Sequence, residues 1–417
     1  MDRVILHSDI NSCYASIEHA LHPELDGIPL AVGGCTEDRH GIILAKDQAC
    51  KRAGVKTGMA LWQARQLCPD IMIVAPRMDL YLEYSARVQE IYGEYTNLRE
   101  PFGIDESWLD LTGCWGASDG AAAAREICAR VKRELHVTVS VGVSWNKIFA
   151  KLGSDYKKPD AVTCISRENY RSLVWPLPVE ELLYVGRATS AKLRAIGIDT
   201  IGALALSDPE ILHRKLGKMG YTLHAFANGL DDSPVRREDL HAPVKSIGNS
   251  TTAPRDLVND EDVRVTLLTL AESVGARLRA GGFRSRLLSV AVRSTALSWC
   301  GHQMKLPHAT NGTREILTAG MALFREKHDW RRDGPIRSLG LSAGALESAD
   351  APEQLDLFGL SAARERQSAL DAALDDIRGK YGFASIRRGP AAADLRLGNL
   401  NAREEHIAHP IGFFNGH

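Results

Sequence analysis

Two adjacent acidic residues, Asp105 and Glu106, interrupt a stretch of alternating apolar and polar residues, and this feature constrains the fold most. Phe102 and Ile104 precede the pair and Trp108 follows it, which is typical of two short strands or one bent strand. Carboxylates that share a buried sheet repel each other and lose hydration, which is costly unless a cation compensates. An exposed acidic turn is the alternative, and this stretch alone does not separate the two.

The N-terminal segment supplies a third carboxylate. Residues 3–8 form a short apolar run that predicts a buried strand, with Asp9 at its end. We find neither the pattern of a signal peptide nor an apolar run of membrane-spanning length, so we expect a protein that is neither secreted nor integral to a membrane. Asp9, Asp105 and Glu106 together could hold two Mg²⁺ ions, using oxygen ligands and the phosphates of a substrate.

Length and charge bound the domain organisation. At 417 residues the chain is too long for one ordinary core, so we expect several domains. The formal net charge is −1, yet residues 244–341 carry 15 Lys and Arg against 9 Asp and Glu, and residues 342–417 carry 8 against 11. This asymmetry favours phosphate-backbone binding confined to one region, with an ordinary solvated surface as the alternative.

The 8 cysteines are scattered through the chain. They form no Cys-x-x-Cys pair, and no histidine lies near them at the spacing of metal ligands. The pattern argues against structural zinc and predicts reduced thiols in the cytoplasm.

Three blocks of the sequence resemble the signature motifs of Y-family DNA polymerases, most closely the bacterial DNA polymerase IV branch. The blocks are residues 7–18 (HSDINSCYASIE), 103–110 (GIDESWLD) and 140–160 (SVGVSWNKIFAKLGSDYKKPD). Around the acid pair, the predicted order of strand, helix, two strands, helix and strand is that of a ferredoxin-like fold. The family's palm domain is similar to that fold.

The resemblance implies an α+β multidomain protein shaped as a right-hand polymerase. The expected parts are a ferredoxin-like palm (1–10 and 77–166), small fingers (11–76), a helical thumb (167–232), a linker (233–243), an α/β little finger (244–341), and a tail (342–417) with a clamp-binding-like peptide. Apolar residues at helical spacing also predict a helix over 361–380 in the tail.

The resemblance also implies a reaction. Asp9, Asp105 and Glu106, with the backbone carbonyl of Ile10, would bind two Mg²⁺ ions, and the primer 3′-hydroxyl would attack the α-phosphate of a dNTP. Catalysis would rest mainly on positioning and charge neutralisation. Tyr14 would be the steric gate that rejects ribonucleotides.

Two lysines, Lys51 and Lys158, match family positions that contact the triphosphate. The fingers depart from the family pattern at two positions, because Gln48 stands where Tyr is usual and Lys51 where Arg is usual. A lysine neutralises a phosphate as a point charge but lacks the bidentate fork of arginine. In the fingers strand at 41–45, alternation places Ile42 and Leu44 on one face, where smaller residues would leave more room for a damaged base pair.

DNA contacts are expected in the thumb and the little finger. Residues 182–198 resemble a helix-hairpin-helix, which grips phosphates through backbone N–H groups, although Ala188 follows Arg187 where a second glycine is usual. The candidate DNA-binding residues are Gly186, Lys192, Lys245, Arg284, Arg286 and Arg293.

A short apolar peptide in the polar tail resembles the motif by which bacterial polymerases dock on the sliding clamp, the beta subunit. A hydrophobic contact with its own domain is the alternative. The candidate clamp-binding residues are Gln354, Leu355, Leu357 and Phe358.

Taken together, the sequence predicts a monomeric, damage-tolerant translesion DNA polymerase that acts on primer-template DNA and dNTPs. One rival is a non-catalytic scaffold of the same family that binds the clamp and DNA, and the presence of all three acids speaks against it. Another rival is a different two-metal palm enzyme, such as a nucleotide cyclase. The thumb-like region, the basic region and the clamp-like peptide argue against that rival.

Overall fold

The computed structural model describes residues 2–34, 41–114, 120–237, 243–352 and 360–398, which divide into two compact units. The first unit holds residues 2–34 and 42–237, and the second holds 243–352 and 360–398. The strands of the first unit are β1 (Ile5–Ile10), β2 (Leu30–Gly33), β3 (Ile43–Lys46), β4 (Met72–Val74), β5 (Arg99–Pro101), β6 (Glu106–Asp110), β7 (Val139–Ser144) and β8 (Val162–Cys164). Its helices are α1 (Cys13–Leu21), α2 (Gln48–Arg52), α3 (Leu61–Leu67), α4 (Met78–Gly93), α5 (Gly120–Leu135), α6 (Lys147–Tyr156), α7 (Tyr170–Leu173), α8 (Arg187–Arg194), α9 (Ile201–Leu206), α10 (Pro209–Leu216) and α11 (Lys218–Ala227).

The central sheet of the first unit has the strand order β5-β6-β1-β7-β8. β1 lies between β6 and β7 and is antiparallel to both, while β8 is parallel to β7. Alternation along the strands separates two cores: Leu6 and Leu109 pack with α4 and α5, and Ile5 and Trp108 pack toward α6. The strands β1, β5, β6 and β7, with α4 and α5 between them, follow the predicted ferredoxin-like order, which is confirmed.

Helix α6 lies unusually close to the sheet because β7 offers a glycine beneath it. A Cβ at Gly142 would stand 1.9 Å from the Ala150 carbonyl oxygen and 2.5 Å from the Ser154 backbone nitrogen, so no other residue fits. Asn146 begins the helix, since its side chain accepts a hydrogen bond from the Phe149 N–H at 2.8 Å. This close packing sets the distance between the side chains of α6 and the end of β1.

The fingers form a small sheet of order β3-β2-β4 with its own core. Ile43 is fully buried, whereas Ile42 is 42% exposed and Leu44 is partly exposed. Ile42 precedes β3, and the pairing of β2 with β3 has a register irregularity at Leu44, so the predicted alternation of Ile42 and Leu44 on one face stays a prediction.

Helices α7–α11 form the thumb region around an apolar core that also takes in Phe149 and Leu152 of α6. The segment that follows is anchored rather than free. Val235 is buried, and Glu100 accepts hydrogen bonds from the Arg236 backbone N–H at 2.9 Å and from its guanidinium. Of the predicted linker, residues 233–237 thus belong to the first unit, and residues 238–242 are not described.

The second unit contains the strands β9 (Ser246–Leu257), β10 (Phe283–Ser294), β11 (Trp299–Thr310) and β12 (Ile336–Ser348). Its helices are α12 (Asp260–Ala280), α13 (Thr313–Lys327), α14 (Trp330–Asp333), α15 (Leu360–Tyr381), α16 (Gly389–Ala393) and α17 (Leu395–Gly398). The sheet order is β11-β10-β12-β9, and α12 and α13 cover one face. The last strand extends past position 341, where the tail was expected to begin.

Buried ion pairs hold the C-terminal helices to α12. Glu272 is 4% exposed and accepts hydrogen bonds from both Arg378 and Arg388 at 3.0 Å. Arg388 also pairs with Asp371, and Arg279 lies 3.5 Å from the same carboxylate. The predicted helix at 361–380 is confirmed as α15, and the charges show that it is an integral part of the second unit.

Candidate active site

The three predicted metal-binding carboxylates lie at one end of the central strands. Asp9 on β1 and Glu106, the first residue of β6, are direct cross-strand partners. Asp105 precedes β6, and its carbonyl oxygen accepts a hydrogen bond from the Ile10 N–H at 2.9 Å. The antiparallel pairing of β1 with β6 thus brings together acids that are far apart in the sequence.

Burial and mutual repulsion oppose the ionisation of these carboxylates. The pKa of Asp9 is raised to about 6, chiefly because burial removes its hydration, and Glu106 adds to the rise while Lys158 opposes it. The pKa of Asp105 is also raised to about 6, by burial first and then by the charges of Asp9 and Glu106. A divalent cation relieves both effects, and three carboxylates are the hard oxygen ligands that Mg²⁺ or Mn²⁺ prefers.

Two lysines hold the acids. Lys158 Nζ lies 2.6 Å from Asp9 Oδ2, and Lys151 Nζ lies 2.9 Å from Glu106 Oε1 and 3.8 Å from Asp9 Oδ2. Within the described ranges, no three carboxylate, imidazole or thiol groups are arranged as the ligand set of one ion. The all-oxygen donor set suits a divalent cation, and in this structure Lys151 and Lys158 each occupy one oxygen of a candidate ligand, Glu106 and Asp9 respectively.

Sequence reasoning found Lys158 but missed Lys151 and Asp155. The spacing of four residues between Lys151 and Asp155 was the available signal, because it places both on one face of α6, and Lys158 follows just after the helix ends. His7 was also missed. It is fully buried, its Nε2 lies 3.4 Å from Glu106 Oε2, and burial followed by the charge of Lys151 holds its pKa well below the usual range.

The predicted steric gate, Tyr14, lies in the first turn of α1. Its ring stacks on the ring of Tyr81, with centroids 4.4 Å apart and planes inclined by 9°. The Tyr81 hydroxyl donates to Glu18 Oε1 at 2.6 Å, and Arg77 Nε donates to the same oxygen at 3.1 Å. Tyr14 is thus supported from behind by a buried side chain that is itself fixed.

The fingers place several polar residues beside this region. A cleft of about 490 Å³ between α1, α2 and the segment after Lys158 is lined in part by Ser12, Gln48 and Arg52. Lys51 is exposed on α2 and does not line that cleft. Burial and then the charge of Lys51 lower the pKa of Lys46.

The candidate DNA contacts of the thumb lie on an exposed helix start. Gly186 is the N-cap of α8, and the first helical hydrogen bond runs from the Ser190 N–H to its carbonyl. The N–H groups of the first turn therefore have no partner within the helix. Lys192 is exposed on the same helix.

The four candidate DNA-binding residues of the little finger differ in how far their positive charge is exposed to solvent. Lys245 is exposed just before β9, and the Arg293 guanidinium lies over the Trp299 ring at 5.7 Å. Arg286 is half-exposed but pairs with Glu347 at 2.6 Å. Arg284 is only 13% exposed and donates to the Ala351 carbonyl at 2.6 Å, so it supports the end of β12.

The predicted clamp-binding residues lie outside the described residues. These residues are Gln354, Leu355, Leu357 and Phe358. Separately, none of the helices in the described ranges combines the length and apolarity needed to span a bilayer.

A search of solved structures identifies the fold. The chain matches a Y-family DNA polymerase chimera with a TM-score of 0.73 and 22% sequence identity, covering 82% of this chain and 98% of that one. The fold is therefore that of a Y-family DNA polymerase.

Sequence comparisons narrow the assignment. The impB/mucB/samB family model matches residues 8–155, and the model of that family's C-terminal domain matches residues 244–357. DNA polymerase IV of Acetivibrio thermocellus is 46% identical, covering 96% of this chain and 100% of that protein. DNA polymerase IV 1 of Bacillus subtilis is 36% identical, covering 93% and 92%. The chain belongs to the Y-family DNA polymerases, in their DNA polymerase IV branch, as the sequence predicted.

Proposed function

We propose that this protein is a template-directed DNA polymerase of the translesion type, which extends a primer 3′-hydroxyl with dNTPs. The observation that carries the proposal is the convergence of Asp9, Asp105 and Glu106 at one end of the palm strands, beside Lys158. A scaffold that only binds DNA and the clamp has no need to bury acids whose pKa values are raised to about 6.

The proposed cofactor is a pair of Mg²⁺ ions held by Asp9, Asp105, Glu106 and the carbonyl oxygen of Ile10. When bound, Mg²⁺ would lower the pKa of the attacking hydroxyl and neutralise charge on the triphosphate. The support for this proposal is the all-oxygen donor set and its unfavourable electrostatics without a cation.

The side chains of this chain would do the remaining work by positioning and neutralisation. Lys158 and Lys51 would neutralise triphosphate oxygens, and Tyr14 would lie against the sugar of the incoming nucleotide. Gly186, Lys192, Lys245 and Arg293 would contact the DNA backbone. Of the remaining two candidates, Arg286 would have to leave Glu347, and Arg284 would act mainly by supporting its strand.

The proposed partners are primer-template DNA, dNTPs and the sliding clamp, the last through residues 354–358, with the enzyme acting as a monomer. The proposed location is the cytoplasm. All seven cysteines among the described residues are free thiols, which suits that compartment.

Primer extension on a templated oligonucleotide, with and without Mg²⁺, tests the proposal. Asp9→Ala, Asp105→Ala and Glu106→Ala should each reduce extension roughly a hundredfold or more, because each removes a ligand, while DNA binding persists. Glu83→Ala is the matched control, since Glu83 is an exposed acid on α4 that is not among the proposed metal ligands. Normal extension by the Asp9 or Asp105 variant would refute the assignment, and so would normal extension without a divalent ion.

A further inference from the structure

Three charged residues at the C-terminal end of α6 form a connected set. Asp155 Oδ2 lies 3.3 Å from Lys151 Nζ, and Asp155 Oδ1 lies 2.7 Å from Lys158 Nζ. Each carboxylate oxygen of Asp155 therefore accepts from a different lysine. The two lysines are mostly buried, with 14% and 24% of their side chains exposed.

Each lysine also reaches one catalytic acid. Lys151 contacts Glu106 at 2.9 Å, and Lys158 contacts Asp9 at 2.6 Å. The result is a continuous chain of alternating charge: Glu106, Lys151, Asp155, Lys158 and Asp9. Asp155 is the only one of its three carboxylates that is not among the proposed metal ligands.

The ammonium groups remain charged in this setting. Each ammonium group lies within 3.3 Å of two carboxylates, Glu106 and Asp155 for Lys151 and Asp9 and Asp155 for Lys158, and these contacts stabilise its positive charge. A divalent ion held by Asp9 and Glu106 would compete with these two cations for the same carboxylates. Those cations then need another acceptor nearby, because a buried unpaired charge is costly.

Apart from its ion pair with Lys151 four residues earlier, Asp155 lies at an unfavourable position in the helix. It lies in the last turn of α6, where the helix dipole disfavours a negative charge. Two ammonium groups within 3.3 Å are thus the stabilising contacts that account for an acid at this position.

We propose that Lys151 is an internal counter-cation that holds Glu106 and Asp9 before metal binds. We further propose that Asp155 is a positioning residue that retains Lys151 and Lys158 once metal has displaced them. The proposal rests on the proposed function, because it takes Asp9 and Glu106 as metal ligands. It predicts that replacing Lys151 and replacing Asp155 change metal affinity in opposite directions, which a general loss of structure cannot do.

The test is Mn²⁺ binding to the full-length protein without DNA or dNTP, followed through the electron paramagnetic resonance signal of free Mn²⁺. Lys151→Met should tighten binding about tenfold, the value for a unit charge and a divalent ion roughly 6 Å apart even at the dielectric constant of water. Lys151→Gln should do the same, which guards against a packing defect in either variant. Asp155→Asn should weaken binding at least about threefold, because both lysines then bind the acids alone.

A double-mutant cycle separates retention of the lysines from the simple field of Asp155. If Asp155 acts by holding the lysines, the loss caused by Asp155→Asn should shrink by more than half in the Lys151→Met background. An equal loss in both backgrounds would refute the positioning role. Lys157→Met is the charge-matched control, since Lys157 is exposed beside Lys158, and it should leave Mn²⁺ affinity unchanged within about twofold.

Failure of the inference can be told from failure of the proposed function. Asp105→Asn should weaken Mn²⁺ binding if the carboxylates hold the ion, and unchanged binding in that variant would refute the metal site itself. If Asp105→Asn weakens binding while both Lys151 variants leave it unchanged or weaker, the metal site stands and the counter-cation role is refuted. Thermal unfolding of each variant verifies that the comparison is made between folded proteins.

Discussion

Replacing the steric gate, Tyr14→Ala, should admit ribonucleotides, and the structure indicates how strongly. A ring that can move aside excludes a 2′-hydroxyl poorly, so the size of the effect depends on what supports Tyr14. Its ring stacks on Tyr81 at 4.4 Å, and Tyr81 is fully buried and held by Glu18. The gate therefore cannot yield without disturbing the packing between α1 and α4.

Overpacking costs roughly 1–3 kcal/mol, which corresponds to about fivefold to a little over a hundredfold discrimination. Because Tyr14 is supported from behind, we expect the upper part of that range. Tyr14→Ala should raise the ratio of ribonucleotide to deoxyribonucleotide kcat/KM at least about twentyfold. Tyr14→Phe keeps the ring and should preserve discrimination, and Tyr81→Phe, which loses only the hydrogen bond to Glu18, should lie between the two.

The assay is single-nucleotide insertion of GTP and dGTP opposite the same template cytosine, measured for each variant. Extension with dGTP alone shows that the variant remains an active polymerase. An unchanged GTP to dGTP ratio in Tyr14→Ala would remove Tyr14 from the gate role. A ratio in Tyr81→Phe as large as that in Tyr14→Ala would show that the hydrogen bond to Glu18, not the stacking, supports the gate.

Three further predictions concern the clamp, lesion bypass and pH. Replacing Leu357 and Phe358 with alanine removes hydrophobic anchors worth roughly 1.5–3 kcal/mol each when buried, so it should abolish stimulation by the clamp and spare distributive synthesis. Stimulation that persists in this double variant would contradict the clamp role. If Ile42 and Leu44 cover the nascent base pair as the sequence predicts, Ile42→Ala with Leu44→Ala should improve bypass of a bulky guanine adduct, and equal bypass by the natural protein would show that these residues set no limit. Since acids with a pKa of about 6 must ionise to bind metal, Mn²⁺ affinity should fall roughly tenfold or more from pH 7 to pH 5, and a flat profile would refute the electrostatics. The same shifts mean that the folded metal-free state binds more protons than the unfolded chain, so its stability should fall as pH rises from about 4 to about 6.

Local patterns in the sequence were sufficient for most of the palm. Alternation around Asp105 and Glu106 predicted the strands that are observed as β5 and β6, and the predicted order of strand, helix, two strands, helix and strand is that of β1, α4, β5, β6, α5 and β7. These signals are readable because side chains alternate on a strand and repeat along a helix face whatever the rest of the chain does. The motifs that resemble Y-family polymerases assigned the acids, and β1 pairs with β6 in the register that joins them.

The charge pairs depended on the tertiary structure. Lys151 meets Glu106 only because Gly142 lets α6 lie against β7, and nothing in the spacing of residues 142 and 151 states that distance. Glu100 likewise holds Arg236 across more than a hundred residues of chain. Long-range partners of a charged side chain depend on the packed positions of whole elements, which a local pattern does not contain.

The C-terminal region shows the same division most plainly. The sequence determined that α15 is a helix, since its apolar residues follow helical spacing in a run without proline. Its acidic composition indicated a tail, yet Asp371 and Arg378 are buried against Arg279 and Glu272 of α12. Amino-acid composition gives the number of charged residues but not their contacts. A charged residue can be buried only where the tertiary structure supplies an opposite charge at contact distance.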